Sequence, residues 1–93
     1  MIKYNKGAHA LLVKSGSVVD QVKVTQPKTL GSVALSFLYG AVTPGDLLIV
    51  ASRGSLTWRV FRIINVWQDR FDPLAKFHDK DAAIGYAALT WRV

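Results

Sequence analysis

Thr43-Pro44-Gly45-Asp46-Leu47-Leu48-Ile49-Val50-Ala51-Ser52-Arg53-Gly54-Ser55 runs on into Leu56-Thr57-Trp58-Arg59-Val60-Phe61-Arg62-Ile63-Ile64. Proline at the second position and glycine at the third suit Thr43–Asp46 to a type II turn. Leu47–Ser52 then reads as a short apolar strand, and Gly54 centres a reversal. Leu56–Trp67 returns as a longer strand, β-branched and aromatic, with Arg59 and Arg62 along it. The pair predicts a β-hairpin that puts positive charge and aromatic rings on one ribbon.

Upstream, His9–Lys14 and Val18–Val24 flank Ser15-Gly16-Ser17, a second hairpin in which Gly16 supplies the positive φ of the reversal. Val18, Val22 and Val24 alternate with Gln21, Lys23 and Thr25, which gives one wet face; Asp20 is the misfit on the apolar side. Residues 29–42 fit two templates. Leu30, Val33, Ala34, Phe37, Leu38 and Ala41 make a helical stripe after Pro27 and Thr29, while Val33, Leu35, Phe37 and Tyr39 alternate as a strand. Two glycines and the Val-Phe-Tyr content tip the reading towards strand.

Downstream, Trp67–Pro73 reads as a polar loop before a short strand at Leu74–Phe77. Residues 79–93 read as a helix capped by Asp79, with Asp81 at its positive end and Arg92 at its negative end. Ala83, Ile84, Ala87, Ala88 and Trp91 form one apolar face, and Tyr86, Leu89 and Val93 a second. The fold expected is α+β and mainly antiparallel β: a small five-stranded bent sheet or barrel with a C-terminal helix. Two ββα units are the alternative if residues 29–42 are helical.

A chain of 93 residues with 51% hydrophobic content makes one domain with a modest core. Residues 1–7 are expected to form a flexible basic arm. Cysteine is absent, which removes disulfides, zinc-thiolate sites and cysteine nucleophiles together. Twelve Lys and Arg face six Asp and no Glu, for a net +6. A balance this basic favours polyanionic partners. Absence of Glu also fits a β-rich chain with little exposed helix. The most apolar run, Leu30–Val42, is broken by Gly31, Ser32, Ser36 and Gly40 and falls short of the ~18 residues a membrane span needs. No membrane association is expected, and the cytoplasm is the default compartment.

A strand ending near Tyr39, then Pro44-Gly45-Asp46, Leu47–Val50, a glycine turn and Val60-Phe61-Arg62-Ile63-Ile64-Asn65-Val66 resembles two groups. One is the small β-barrel of the primosomal helicase's N-terminal DNA-binding domain. The other is a set of short, uncharacterised bacteriophage proteins, where the likeness extends through Asp69-Arg70-Phe71-Asp72-Pro73. The resemblance implies a barrel-like fold and a phage or mobile-element origin, with the host cytoplasm or the virion as location. It carries over no functional residue.

Strand alternation puts Arg59, Phe61 and Trp67 on one face and Leu56, Trp58, Val60, Ile64 and Val66 on the other, with Arg62 intruding. Rings that stack on bases beside cations that meet phosphate are how open sheets hold single strands. Lys23, Arg59, Arg62 and Arg70 are therefore expected to neutralise phosphate, Phe61 and Trp67 to stack bases, and Arg53 to join them from its loop. The same residues fit a second account, with Phe61 and Ile63 in a core under the C-terminal helix and Arg59 simply solvated. The expected function is sequence-tolerant, non-catalytic nucleic-acid binding. The competing reading is a protein-interaction or virion component that self-associates, or grips a host or viral protein, through Tyr86, Leu89 and Val93. No nucleophile elbow, metal-ligand spacing or phosphate-binding glycine loop is present, so no enzyme, cofactor or metal is expected.

Overall fold

The structure, a computed structural model, describes residues 3–4, 9–23, 28–38, 42–51 and 57–91. In chain order the elements are β1 (Lys3–Tyr4), β2 (His9–Lys14), β3 (Ser17–Lys23), β4 (Lys28–Thr29), α1 (Leu30–Ala34), β5 (Leu47–Ala51), β6 (Trp58–Asn65), β7 (Arg70–Phe77) and α2 (Lys80–Thr90). Five strands form one antiparallel sheet in the order β3-β2-β5-β6-β7, and β1 pairs with β4 separately. The sheet is open. β3 and β7 are its edges, so the closure that a barrel requires is missing.

Turn chemistry matches the residues that stand there. Ser15 and Gly16 have φ of 51° and 83°, the paired left-handed conformation of a two-residue hairpin turn. Asp46 donates its N–H to the Thr43 carbonyl at 3.1 Å around Gly45. The Asp46 carboxylate then accepts from the Thr43 N–H at 2.9 Å and from Lys14 Nζ at 2.6 Å, which ties this turn to β2. β5 is buried at all five positions because both faces of the sheet are covered.

On one face Ala10, Leu12, Leu48, Val50, Phe61 and Ile63 pack against Leu30 and Val33 of α1. On the other, Leu11, Val13, Leu47, Ile49 and Val60 pack against Ala83 and Ala87 of α2. Alanines at those two helical positions let α2 approach the sheet closely. A continuous apolar run with no polar alternation is what a strand buried on both sides should show.

Four expectations are corrected here. Beyond Thr29, which ends β4, the described residues of 29–42 do not form the expected strand. α1 occupies Leu30–Ala34, with Thr29 Oγ1 accepting from the Ser32 N–H at 3.2 Å as its cap, and Tyr39, Gly40 and Ala41 lie outside the described residues. Two ββα units are not the arrangement either, because three strands, β5, β6 and β7, lie between α1 and α2, and α1 is a single short turn. The expected loop Trp67–Pro73 is a turn only as far as Asp69, and β7 starts at Arg70, before Pro73.

The fourth correction concerns β3. Its alternation is broken where the pairing with β2 shifts register between Leu12 and Val13. Val18 lies opposite Val13 and Val22 opposite Ala10, so the two valines sit on different faces, since opposed residues share a face. Asp20 lies opposite Leu12, and its carboxylate accepts from the Gln21 N–H and from the Leu38 N–H, each at 2.7 Å. The misfit aspartate thus ties the chain after α1 to an edge strand.

Candidate functional site

β6 was expected to be half sunk and half wet. Its middle is buried on both faces: Val60 beneath α2, Phe61 and Ile63 beneath α1. Phe61 is 2% exposed and cannot stack a base. The core account is right for Phe61 and Ile63, but the covering helix is α1, not the C-terminal one. Arg59, at the start of the strand, is exposed.

Arg62 is corrected as well. It points to the α2 face and is half-buried, and its Nη2 donates to the Thr90 carbonyl at 3.3 Å. Thr90 ends α2, so Arg62 places a cation at that helix's negative terminus. This is the role expected of Arg92, which lies outside the described residues. Arg62 is thereby occupied with structure. At the other terminus Asp79 holds the N-cap position but makes no side-chain cap bond.

Arg59 has a neighbour that strand reading alone does not reveal. Lys76 of β7 is its direct cross-strand partner, and both are exposed. The row continues through Val50, Ala10 and Val22, so the two cations stand on the α1 face, beyond the cover of α1. Next to them the pairing of β6 with β7 shifts register, Val60 lying opposite Ala75 and Phe61 opposite Pro73. Leu74 is the extra residue of this bulge. A groove of about 430 Å³ opens there, lined by Arg59, Phe61, Pro73, Leu74 and Lys76 among others.

Lys23 ends β3 at the same end of the sheet, opposite His9, and Lys80 opens α2 there beside Asp79 and Asp81. Among the described residues the ion pair formed is Lys14 with Asp46, at the far end. Arg59 and Lys76 have no carboxylate partner in that set.

Trp67 and Arg70 occupy that far end, where the turn 66–69 joins β6 to β7. Trp67 is 84% exposed. Arg70 is exposed too, but strand alternation puts it on the face opposite Phe71, away from Lys76. The expected cations are therefore divided between two faces and two ends, and the structure brings together Arg59 with Lys76. Arg53 lies outside the described residues.

Of the expected interface, Tyr86 is half-buried, its ring centroid 5.3 Å from that of Phe77. Leu89 is 86% exposed, and Val93 lies outside the described residues. Among the described residues no helix is long and apolar enough to cross a membrane. Comparison with protein-family models, curated proteins and solved structures yields no match to this chain.

Proposed function

We propose that this protein binds nucleic acid, without catalysis and with tolerance of sequence, through the end of the sheet that carries Arg59 and Lys76. One observation carries the reading: two exposed cations face each other across an antiparallel pair, beside a groove, with no described carboxylate between them. Like charges directly opposed in a sheet work against folding. A phosphate laid over them reverses the sign. Arg59 offers a planar fork to phosphate oxygens and Lys76 a compact point charge. Lys23, at the same end of the sheet but in register with His9, lies on the opposite face and stands apart from this pair.

Tolerance of sequence follows from the chemistry on offer. No polar side chain is buried among the described residues, so no fixed donor or acceptor is set to read a base edge.

Fluorescence anisotropy with labelled single-stranded and duplex DNA and RNA across a salt series is the test. Binding should be tight at low ionic strength and weaken steeply with salt. Arg59→Ala and Lys76→Ala should each flatten the log–log salt slope by about 0.7–0.9, one phosphate contact apiece. Lys14→Ala removes the same charge from the far end and should leave affinity within about twofold, since Lys14 is already paired with Asp46. No binding at the lowest salt, with light scattering that reports a stable oligomer, would favour self-association through α2. Leu89→Asp would then dissolve the oligomer.

A further inference from the structure

Trp67 stands out against water where a ring of its size is seldom left. The turn beneath it is anchored on several sides. Gln68 donates its N–H to Asn65 Oδ1 at 3.1 Å, and Asp69 donates its N–H to the Val66 carbonyl at 3.1 Å. Asp69 Oδ1 accepts the Gly31 N–H at 2.7 Å, and α1 presses so closely that a Cβ on Gly31 would stand 2.7 Å from the Val66 carbonyl oxygen. The ring is therefore carried on a fixed platform, which lowers the ordering cost of a contact made by it.

This platform and the Arg59–Lys76 pair sit at opposite ends of the β6–β7 ribbon. Lys76 and the first residue of β7 are six positions apart, a span of about 20 Å at ~3.3 Å per residue. β7 is an edge, so among the described residues no further strand of the sheet borders it. On the Lys76 side the strand carries Pro73, exposed, and Phe71, half-buried against the core beneath α1, opposite Phe61 and Ile63, whereas Asp72, opposite Arg62, points to the other face. The path from Lys76 towards the turn is thus free of β7's own carboxylate, and Asp69, at its turn end, is held by the Gly31 N–H. A stacked strand advances ~3.4 Å per nucleotide, so about six nucleotides cover it, and fewer if the strand is stretched.

We propose that the partner is a single strand, its phosphates on Arg59 and Lys76 and one unpaired base on Trp67; the assignment rests on the polyanion reading above. A duplex keeps its base faces inside its own stack and offers an exposed face to a ring only at its ends. Arg70 points away and has no part in it.

The test is anisotropy with labelled oligothymidylates of two, four, six and twelve nucleotides, and with a closed hairpin duplex, on the native protein, Trp67→Ala and Trp67→Phe. The native protein should prefer the single strand, and affinity should climb with length until about six nucleotides. Trp67→Ala should lose about 5- to 150-fold on the single strand, the equivalent of ~1–3 kcal/mol for a stacked base. It should leave duplex affinity and the salt slope unchanged, and Trp67→Phe should restore most of the loss. Equal loss on both nucleic acids, or none, overturns the single-strand assignment and leaves the cationic end standing. Absence of any binding at low salt overturns both. If Trp67→Ala shifts the melting curve, the native protein decides, because affinity that rises evenly past six nucleotides, or equals that for duplex, also overturns the assignment.

Discussion

Leu48→Ala is expected to destabilise the fold by about 2–5 kcal/mol, the usual cost of emptying a large aliphatic site that cannot collapse. Leu48 lies on the central strand, opposite Leu12 of β2 and Phe61 of β6. Its side chain is fully buried among Leu30, Val33, Val50 and Ile63. Relaxation is restricted on every side, by two ladder partners in the plane of the sheet and α1 above it. A chain of this length holds about 5–14 kcal/mol in total, at ~0.05–0.15 kcal/mol per residue. Truncation at Leu48 therefore removes a large share. Urea denaturation followed by circular dichroism should show the midpoint fall with little change in slope. Leu38→Ala, at a residue 84% exposed, should stay within about 0.5 kcal/mol of the native protein. Near-equal losses at the two sites would mean that α1 does not pack on the sheet.

That comparison also separates what period and turn chemistry disclose from what they hide. β5 is plain from five apolar residues after a Pro-Gly turn, and α2 from alanines spaced to lie on one stripe. Period-two reading of β6 misleads because it assigns each charge to a face. Arg59 and Arg62 do lie on opposite faces, but each is tolerated for its position along the strand: Arg59 beyond the cover of α1, Arg62 within reach of the last carbonyls of α2.

Register shifts do further damage. Those beside Leu12, Phe61 and Ile63 each insert a residue that resets the alternation, and no residue type announces them. Ile64, expected in the core, is 40% exposed at one of these places. Lys76 goes unnoticed for a related reason. Its significance comes from lying opposite Arg59, a fact of pairing and not of local composition. Trp67 needs no partner to be noticed, although its platform depends on Gly31, distant in sequence.

Gly31→Ala and Gly85→Ala should move stability in opposite directions, although both replace a helical glycine by the best helix former. Gly85 lies on the exposed side of α2, and a Cβ there would meet nothing within 4 Å. Its replacement should stabilise by about 0.5–1 kcal/mol, through lower chain entropy in the unfolded state. Gly31 is buried, and its new Cβ would sit 2.7 Å from the Val66 carbonyl oxygen and 3.2 Å from Asp69 Oδ1. The first of these atoms is backbone, held in a turn whose Asp69 has a φ of 54°. It has no rotamer by which to give way. Either α1 lifts, stretching the 2.7 Å bond from the Gly31 N–H to Asp69, or the turn distorts. Overpacking of this kind costs about 1–3 kcal/mol, more than the gain in helix propensity returns. At ~4–8 °C per kcal/mol for a domain of this size, thermal melts should place the two variants on opposite sides of the native protein. A Gly31→Ala protein that melts at or above the native temperature would show that α1 does not press on the 66–69 turn. The rigid platform assigned to Trp67 would fall with it.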